Sequence, residues 1–429
     1  MMNQNLIQIF RKSADKNGIP NINKEDWKAL NKSYNKEEII EGLIQYIKKY
    51  DPEAPRLRIT YNEMVKNFHS LRSQPYTKFL LKHAVVKDQV MEKYPDYKRP
   101  YKDYGLGVIQ MGNSYLDVSN YFNQLLRMNC GSYGYKSPHY RWKNQDNLRE
   151  VFLCLWRLGN DKLNEYSFVV AFRLATYIAT QFKPHVAKTV YDMTGADVVF
   201  DASCGWGDRL AGFFCSNASK YYGCDPNGET YDMYVRQCMT YFDLLGESYT
   251  YTENQSGSFT MKGRTKSVQI WRSPAEDLDY TKLPPIDCAF TSPPYFSTEL
   301  YAQGSEYENM QSWKRYNEYE KWRDGFFIPV NERIHDALAP NGLNIVNIQD
   351  PKIGVKRYRA SDDLIDHMSK YKDCKFLGQI GMRIMQRPKN VSKEKLTKHF
   401  KGIYTEPMWV FSKGRTNIMN TVNLESLMT

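Results

Sequence analysis

Apolar residues recur at helical spacing through the first part of the chain. Ile39, Ile40, Leu43, Ile44 and Ile47 fall on one face of the segment 36–50, and Asn23 suits the cap of a helix opening at Lys24-Glu25-Asp26-Trp27. Asp51-Pro52-Glu53-Ala54-Pro55 ends that run. The same periodicity predicts helices over 61–72, 78–94, 114–128, 147–157 and 165–182, with an irregular stretch rich in Lys, Tyr and Pro over 95–107. These elements predict a mainly helical N-terminal domain covering residues 1–160.

After residue 195 the pattern changes. Short apolar runs at 198–200, 221–224, 268–271, 286–291, 343–348, 377–385 and 408–412 read as strands, and helical spacing returns at 231–245, 313–338 and 362–371. Strands alternating with helices predict an α/β domain over 161–429, built on a mostly parallel, Rossmann-like sheet with an antiparallel end. Ligands of such sheets bind beyond the C-terminal ends of the strands.

Composition narrows the class. At 429 residues, 41% hydrophobic and 25% charged, the chain has enough apolar surface for two or three packed domains, which excludes wholesale disorder. The longest apolar stretch, 166–182, carries Arg173 and is too interrupted to span a bilayer, so no membrane is expected. Residues 1–18 do not read as a secretion signal. The eight cysteines form no C-x-x-C pair and have no nearby His partners, so neither structural zinc nor a disulfide framework is expected. Reduced thiols in a cytoplasmic protein are the expectation, with no metal.

Charge is partitioned along the chain. Residues 1–150 carry 25 Lys/Arg against 16 Asp/Glu, residues 151–350 carry 18 against 25, and residues 351–429 carry 16 against 7. Two basic flanks around an acidic middle suit a polyanionic partner. Within the first flank, Gly131-Ser132-Tyr133-Gly134-Tyr135-Lys136-Ser137-Pro138-His139-Tyr140-Arg141-Trp142-Lys143 interleaves four large rings with three permanent cations. That composition suits base stacking with phosphate contact, through Lys136 and Arg141. The bland reading is a Tyr-rich loop packed on its own domain.

The unusual residues lie where the strands end. Asp201-Ala202-Ser203-Cys204-Gly205-Trp206-Gly207-Asp208-Arg209-Leu210 follows the first strand, and its glycines let a turn pass close to a ligand before a helix starts. Leu210 stands where a dinucleotide fingerprint needs its third glycine, so a pyrophosphate is disfavoured. The second strand ends in Asp225, whose carboxylate can accept hydrogen bonds from both hydroxyls of a ribose. A glycine turn alone would serve only the fold, whereas strand, turn and distal carboxylate together point to a nucleoside without pyrophosphate.

This segment resembles the cofactor motif of the class I methyltransferases, over roughly residues 180–413. The resemblance implies S-adenosyl-L-methionine as cofactor, with Asp201, Gly205 and Gly207 around its methionine end, Asp225 at its ribose, and Cys204 and Trp206 of the same turn among the cofactor-binding residues. It implies Glu276 or Asp277, in Ser273-Pro274-Ala275-Glu276-Asp277, near the adenine amine. Phe182-Lys183-Pro184 looks like the family's N-terminal cofactor motif. Ser203 departs from the pattern, because the amino-methyltransferases usually carry Phe there.

The sharpest signal is Thr291-Ser292-Pro293-Pro294-Tyr295-Phe296, directly after a buried strand. Two prolines offer no N–H and fix φ near −65°, so the turn presents the carbonyls of Ser292 and Pro293 as acceptors. Acceptors suit an amino group, and Tyr295 offers a flat face to a planar ring. The motif is similar to the (D/N/S)-P-P-(Y/F) signature of the nucleic-acid amino-methyltransferases, in which Ser is most typical of DNA cytosine-N4 enzymes. The resemblance implies catalytic roles for Ser292, Pro293, Pro294 and Tyr295, with adenine-N6 as the alternative target. A double-stranded target would have to be flipped out, and Phe296 would help to hold it. A bland Pro-rich ligand is disfavoured by the buried strand in front of it.

Only 85 residues separate Gly207 from Ser292, and three strand–helix steps use them. Target recognition is therefore expected from residues 1–160, and from a second basic element over 383–401 that includes Arg387, Lys389 and Lys393. DNA is the expected partner. RNA, or a catalytically dead nucleic-acid-binding fold, remains as an alternative, and nothing in the pattern assigns an oligomeric state.

Overall fold

The computed structural model describes residues 4–81, 89–92, 97–385 and 402–414. Arg387, Lys389 and Lys393 lie outside the described residues. The chain divides into two compact units, and the division is not a single cut at 160. One unit takes residues 1–59, 124–180 and 299–303, and the other takes 60–123, 181–298 and 304–429.

The first unit is helical. Its helices Gln4–Ser13, Lys24–Ser33, Lys36–Tyr50, Leu148–Arg157 and Glu165–Ala175 bury their apolar stripes around Phe10, Leu43, Phe152 and Phe168. Asn23 caps as expected, its side chain accepting from the Asp26 N–H at 2.9 Å. Trp142 is fully buried in this core, and its indole N–H is satisfied by the Pro52 carbonyl at 2.9 Å. The helix expected to run to residue 182 stops at Ala175, because the next turn is recruited elsewhere. The Thr180 N–H and the Tyr177 hydroxyl both donate to the Glu299 carboxylate, at 2.8 and 2.6 Å.

Among the described residues, the second unit is built on a twelve-stranded sheet with helices. Its strands are β1 (Leu80–Leu81), β2 (Val90–Glu92), β3 (Gly105–Ile109), β4 (Val198–Asp201), β5 (Lys220–Cys224), β6 (Thr250–Asn254), β7 (Ser258–Lys262), β8 (Ser267–Trp271), β9 (Ile286–Thr291), β10 (Leu338–Asn347), β11 (Cys374–Arg383) and β12 (Ile403–Lys413). They lie in the order β1-β3-β11-β12-β10-β9-β4-β5-β8-β7-β6, with β2 alongside β12. The five strands from β10 to β8 are parallel, and β12 inserts antiparallel between β10 and β11. This is the expected α/β class, a Rossmann-like, mostly parallel sheet with an antiparallel end. The order reverses between β4 and β9, and ligands of such sheets bind beyond the C-terminal strand ends at a reversal of this kind.

The central strands are apolar along their whole length because both faces are covered. All of β4 is buried, and so is β9 apart from Asp287. Three expected elements differ. In the described part of the segment 78–94, only Lys78 and Phe79 are helical, closing a 3-10 turn over Tyr76–Phe79: Leu80 and Leu81 pair with Ile109 and Val108, so this part serves a sheet edge. Apolar spacing in so short a run does not separate helix from strand. The irregular 95–107 stretch feeds β3, which pairs with β11 and brings N-terminal chain into the sheet. The long helix expected over 313–338 is broken into Ser312–Arg315, Tyr319–Trp322, a π-turn at Arg323–Phe327, and Ile328–Ala337. Pro329 supplies no N–H there, which favours the wider turn just before it.

The pairing of β3 depends on one glycine. Gly378 sits at φ +135° at a bulge in β11, and a Cβ there would stand 2.3 Å from the Tyr104 carbonyl oxygen. Gly378→Ala is expected to destabilise the protein by about 1–3 kcal/mol, read as a lowered midpoint of urea unfolding. An unchanged midpoint would contradict this assignment.

Candidate active site

The site is built at the β4–β9 reversal. Asp201 ends β4 and is completely buried. Its Oδ2 accepts from Arg209 Nε at 2.8 Å and from the Tyr221 hydroxyl at 2.9 Å, and its Oδ1 accepts from the Ser203 N–H at 3.2 Å. Arg209 also donates to the Ser203 carbonyl and lies over the Phe182 ring, 5.2 Å from its centroid. Burial pulls the Arg209 guanidinium down, but the Asp201 charge outweighs it and the net shift is upward. With its oxygens engaged in this way, Asp201 holds the turn in shape.

Both glycines of the turn are left-handed, Gly205 at φ +56° and Gly207 at φ +71°. They differ in what surrounds them. A Cβ on Gly207 would lie 2.0 Å from Gln237 Oε1, so this glycine is packed shut. A Cβ on Gly205 would meet the Ser203 carbonyl oxygen at 3.7 Å and the Arg209 guanidinium at 4.0 Å, ordinary contact distances, so this glycine is less tightly packed than Gly207. Trp206 is held from behind, its carbonyl accepting from Asn123 Nδ2 at 2.8 Å. Cys204 is buried, with the Tyr221 hydroxyl 3.5 Å from its sulfur, and burial raises its thiol well above the ordinary range. It is a packing residue.

Asp225 directly follows the neighbouring strand β5. Its carboxylate is aimed by two backbone donors, the Gly205 N–H at 2.8 Å and the Asn227 N–H at 3.0 Å. A carboxylate oxygen can accept more than one hydrogen bond, so these backbone donors do not by themselves exhaust the acceptor capacity of Asp225. Burial raises Asp225 to about 6, against the lowering effect of those two amides. Glu276 and Asp277 follow β8 and share one cation. Arg315 lies 2.8 Å from Glu276 and makes a two-pronged contact with the exposed Asp277 at 2.8 and 3.1 Å. Glu276 is the buried member of the pair, and burial raises its carboxyl.

The second turn leaves β9 beside the first. Cys288 and Ala289 of β9 pair with Val199 and Phe200 of β4, so Ser292 emerges one strand spacing from the Asp201 turn. Among the described residues no donor reaches the carbonyls of Ser292 or Pro293, whereas the Pro294 carbonyl takes the Phe296 N–H at 2.9 Å. The Tyr295 hydroxyl donates to Glu406 at 2.6 Å, with the Asn347 carbonyl 3.1 Å away. Burial, then the Glu406 charge, raise the Tyr295 phenol well above its ordinary range.

Other expected residues sit differently. Phe296 is 4% exposed at φ +52° and packs on Tyr319, Trp322 and Tyr358, so it supports the turn from the core and does not face a guest. The Lys183 ammonium reaches the Arg383 carbonyl at 3.4 Å and is lowered by burial, while Pro184 opens the helix Pro184–Thr194. In the first unit Lys136 is exposed and lies over Tyr140, with Tyr133, Tyr135 and Tyr140 also exposed. Arg141 is only 5% exposed, so the phosphate contact expected of it does not fit where its backbone puts it. The residues missed by sequence reasoning are Arg209, Gln237, Arg315, Asn347 and Glu406. Only Arg209 left a local signal, a cation inside an apolar helix eight residues after Asp201.

No group of three or more His, Cys, Asp or Glu placed to hold a metal occurs among the described residues, and no helix among them is long and apolar enough to cross a membrane. No protein-family model matches the chain, and no curated protein matches it. Solved structures similar to it include a rRNA methylase from Streptococcus thermophilus (14% identity, 55% of this chain and 98% of that one, TM-score 0.27). A methyltransferase from Geobacter sulfurreducens is similar at 12% identity, over 61% of this chain and 87% of that one, with a TM-score of 0.30. Trm1 from Pyrococcus horikoshii, solved with S-adenosyl-L-methionine, is similar at 14% identity, over 55% of this chain and 57% of that one, with a TM-score of 0.32. At these scores the likenesses carry no argument about activity.

Removing one member of the buried ion pair leaves the other uncompensated. Arg209→Met is expected to cost about 3–5 kcal/mol of stability, measured by denaturant unfolding. A loss below about 1 kcal/mol, the range of exposed pairs, would show that Asp201 does not depend on it.

Proposed function

We propose that this protein is an S-adenosylmethionine-dependent methyltransferase acting on the exocyclic amine of a nucleobase, with DNA as substrate and N4 of cytosine preferred over N6 of adenine. One observation supports the reading: a carboxylate held by the Gly205 N–H stands next to a Pro-Pro turn whose two leading carbonyls meet no donor among the described residues. In this reading Asp225 accepts the two ribose hydroxyls, Glu276 receives the adenine amine, and the methionine end lies along the Asp201–Gly207 turn. Bound there, the cofactor supplies an electrophilic methyl group.

The chain's own residues supply positioning. An amine conjugated into a base is a poor nucleophile because its lone pair is delocalised into the ring. Accepting both N–H groups on the Ser292 and Pro293 carbonyls turns that lone pair toward the methyl donor. The same oxygens stabilise positive charge as it develops on nitrogen. Tyr295 stacks on the ring. Because the amine itself attacks, no protein nucleophile is required, and the thiol of Cys204 stays a packing group. Exposed Tyr133, Tyr135, Lys136 and Tyr140 in the first unit support a nucleic-acid substrate.

The direct test is incubation with methyl-labelled cofactor and separate duplex DNA and RNA pools, followed by nucleoside analysis. N4-methylcytosine in DNA is expected. N6-methyladenine would keep the mechanism and change the base, label only in RNA would change the substrate, and no label in either pool would contradict the reading.

Asp225 also sets a pH dependence for cofactor binding. Above about 6 its carboxylate is ionised and accepts two hydroxyl protons; below that it carries a proton and loses an acceptor. Affinity is therefore held above that pH and falls by about tenfold per unit below it. A dissociation constant that stays flat from pH 7 to pH 5 would remove Asp225 from the site.

A further inference from the structure

We infer that Glu406 is a positioning residue for Tyr295, fixing the ring face offered to the target base; this rests on the reading above. A phenol has one proton to donate. Three acceptors compete for it: Glu406 Oε1 at 2.6 Å, the Asn347 carbonyl at 3.1 Å and Asn347 Oδ1 at 3.3 Å. The charged and nearest acceptor takes it. Anchoring the hydroxyl fixes the direction in which the ring projects from its Cα. The in-plane preference of a phenolic O–H then ties the ring's face to the position of the carboxylate.

The carboxylate can serve this way because its own backbone is held on both sides. Thr405 pairs with Arg383 and Pro407 with Gly381 across β11, and the Asn347 side-chain amide of β10 donates to the Pro407 carbonyl at 3.1 Å. Glu406 thus sits on the antiparallel strand β12, which inserts next to β10, and it reaches the turn after β9 from there. A stacking ring that swung freely would lose the alignment between amine and methyl donor, where small displacements are expensive.

The test compares Glu406→Ala, Glu406→Gln and Tyr295→Phe, alone and combined, in the full chain. Glu406→Ala is expected to lower kcat by about ten- to a hundredfold with cofactor affinity unchanged. Glu406→Gln keeps an oxygen acceptor and is expected within about threefold of the parent, a difference of under 1 kcal/mol. In the Tyr295→Phe background, Glu406→Ala is expected to add nothing, because the bond is already gone. Full activity in Glu406→Ala, a Gln variant as poor as Ala, or independent effects in the double variant would each overturn the inference and leave the methyltransferase reading standing. A parent protein that transfers no methyl group to either nucleic acid would overturn both.

Discussion

The site depends on one buried charge pair. Asp201 and Arg209 are 0% and 3% exposed, and a carboxylate in that position is tolerable only if a cation and hydrogen bonds meet it there. Arg209 satisfies it from the first turn of the following helix and at the same time takes the Ser203 carbonyl, so strand end, turn and helix start are tied at one point. The left-handed glycines follow from that closure. So does the aim of the Gly205 N–H at Asp225, which links the ends of β4 and β5.

The parallel order of β5, β4 and β9 carries the rest. Each strand delivers one turn to the same edge, and strand spacing sets how far apart the turns stand. The free carbonyls after β9 matter because their neighbours are already used. Pro294 is closed by the Phe296 N–H and Tyr295 by the Thr298 N–H, leaving Ser292 and Pro293 as the acceptors. Rigidity comes from behind, where Phe296 is wedged among Tyr319, Trp322 and Tyr358.

Much of this was legible in the chain. Apolar runs without alternation marked β4, β5, β8 and β9, and the Gly and Pro signatures at their ends marked the turns. Asp225 was readable as the acidic residue closing the second strand. What stayed hidden was set by contacts between distant segments. Leu80–Leu81 looked helical until Val108 and Ile109 paired with them, and β3 joined the sheet through a partner more than 250 residues away. Phe296 read as a ring that helps to hold the target base and is a core residue at φ +52°, 4% exposed. Arg141 read as a surface cation because helix pattern alone does not say which face its unit buries. Glu406 had no signal at all: an acid 111 residues from Tyr295 becomes its partner only once β12 has inserted.

The measurement that bears most directly on the account is a crystal structure of the protein with S-adenosylhomocysteine. The ribose hydroxyls are expected on Asp225, the homocysteine portion along the Asp201–Gly207 turn, and the sulfur facing the carbonyls of Ser292 and Pro293. A ligand bound away from Asp225, or one whose sulfur points away from those two carbonyls, would contradict it.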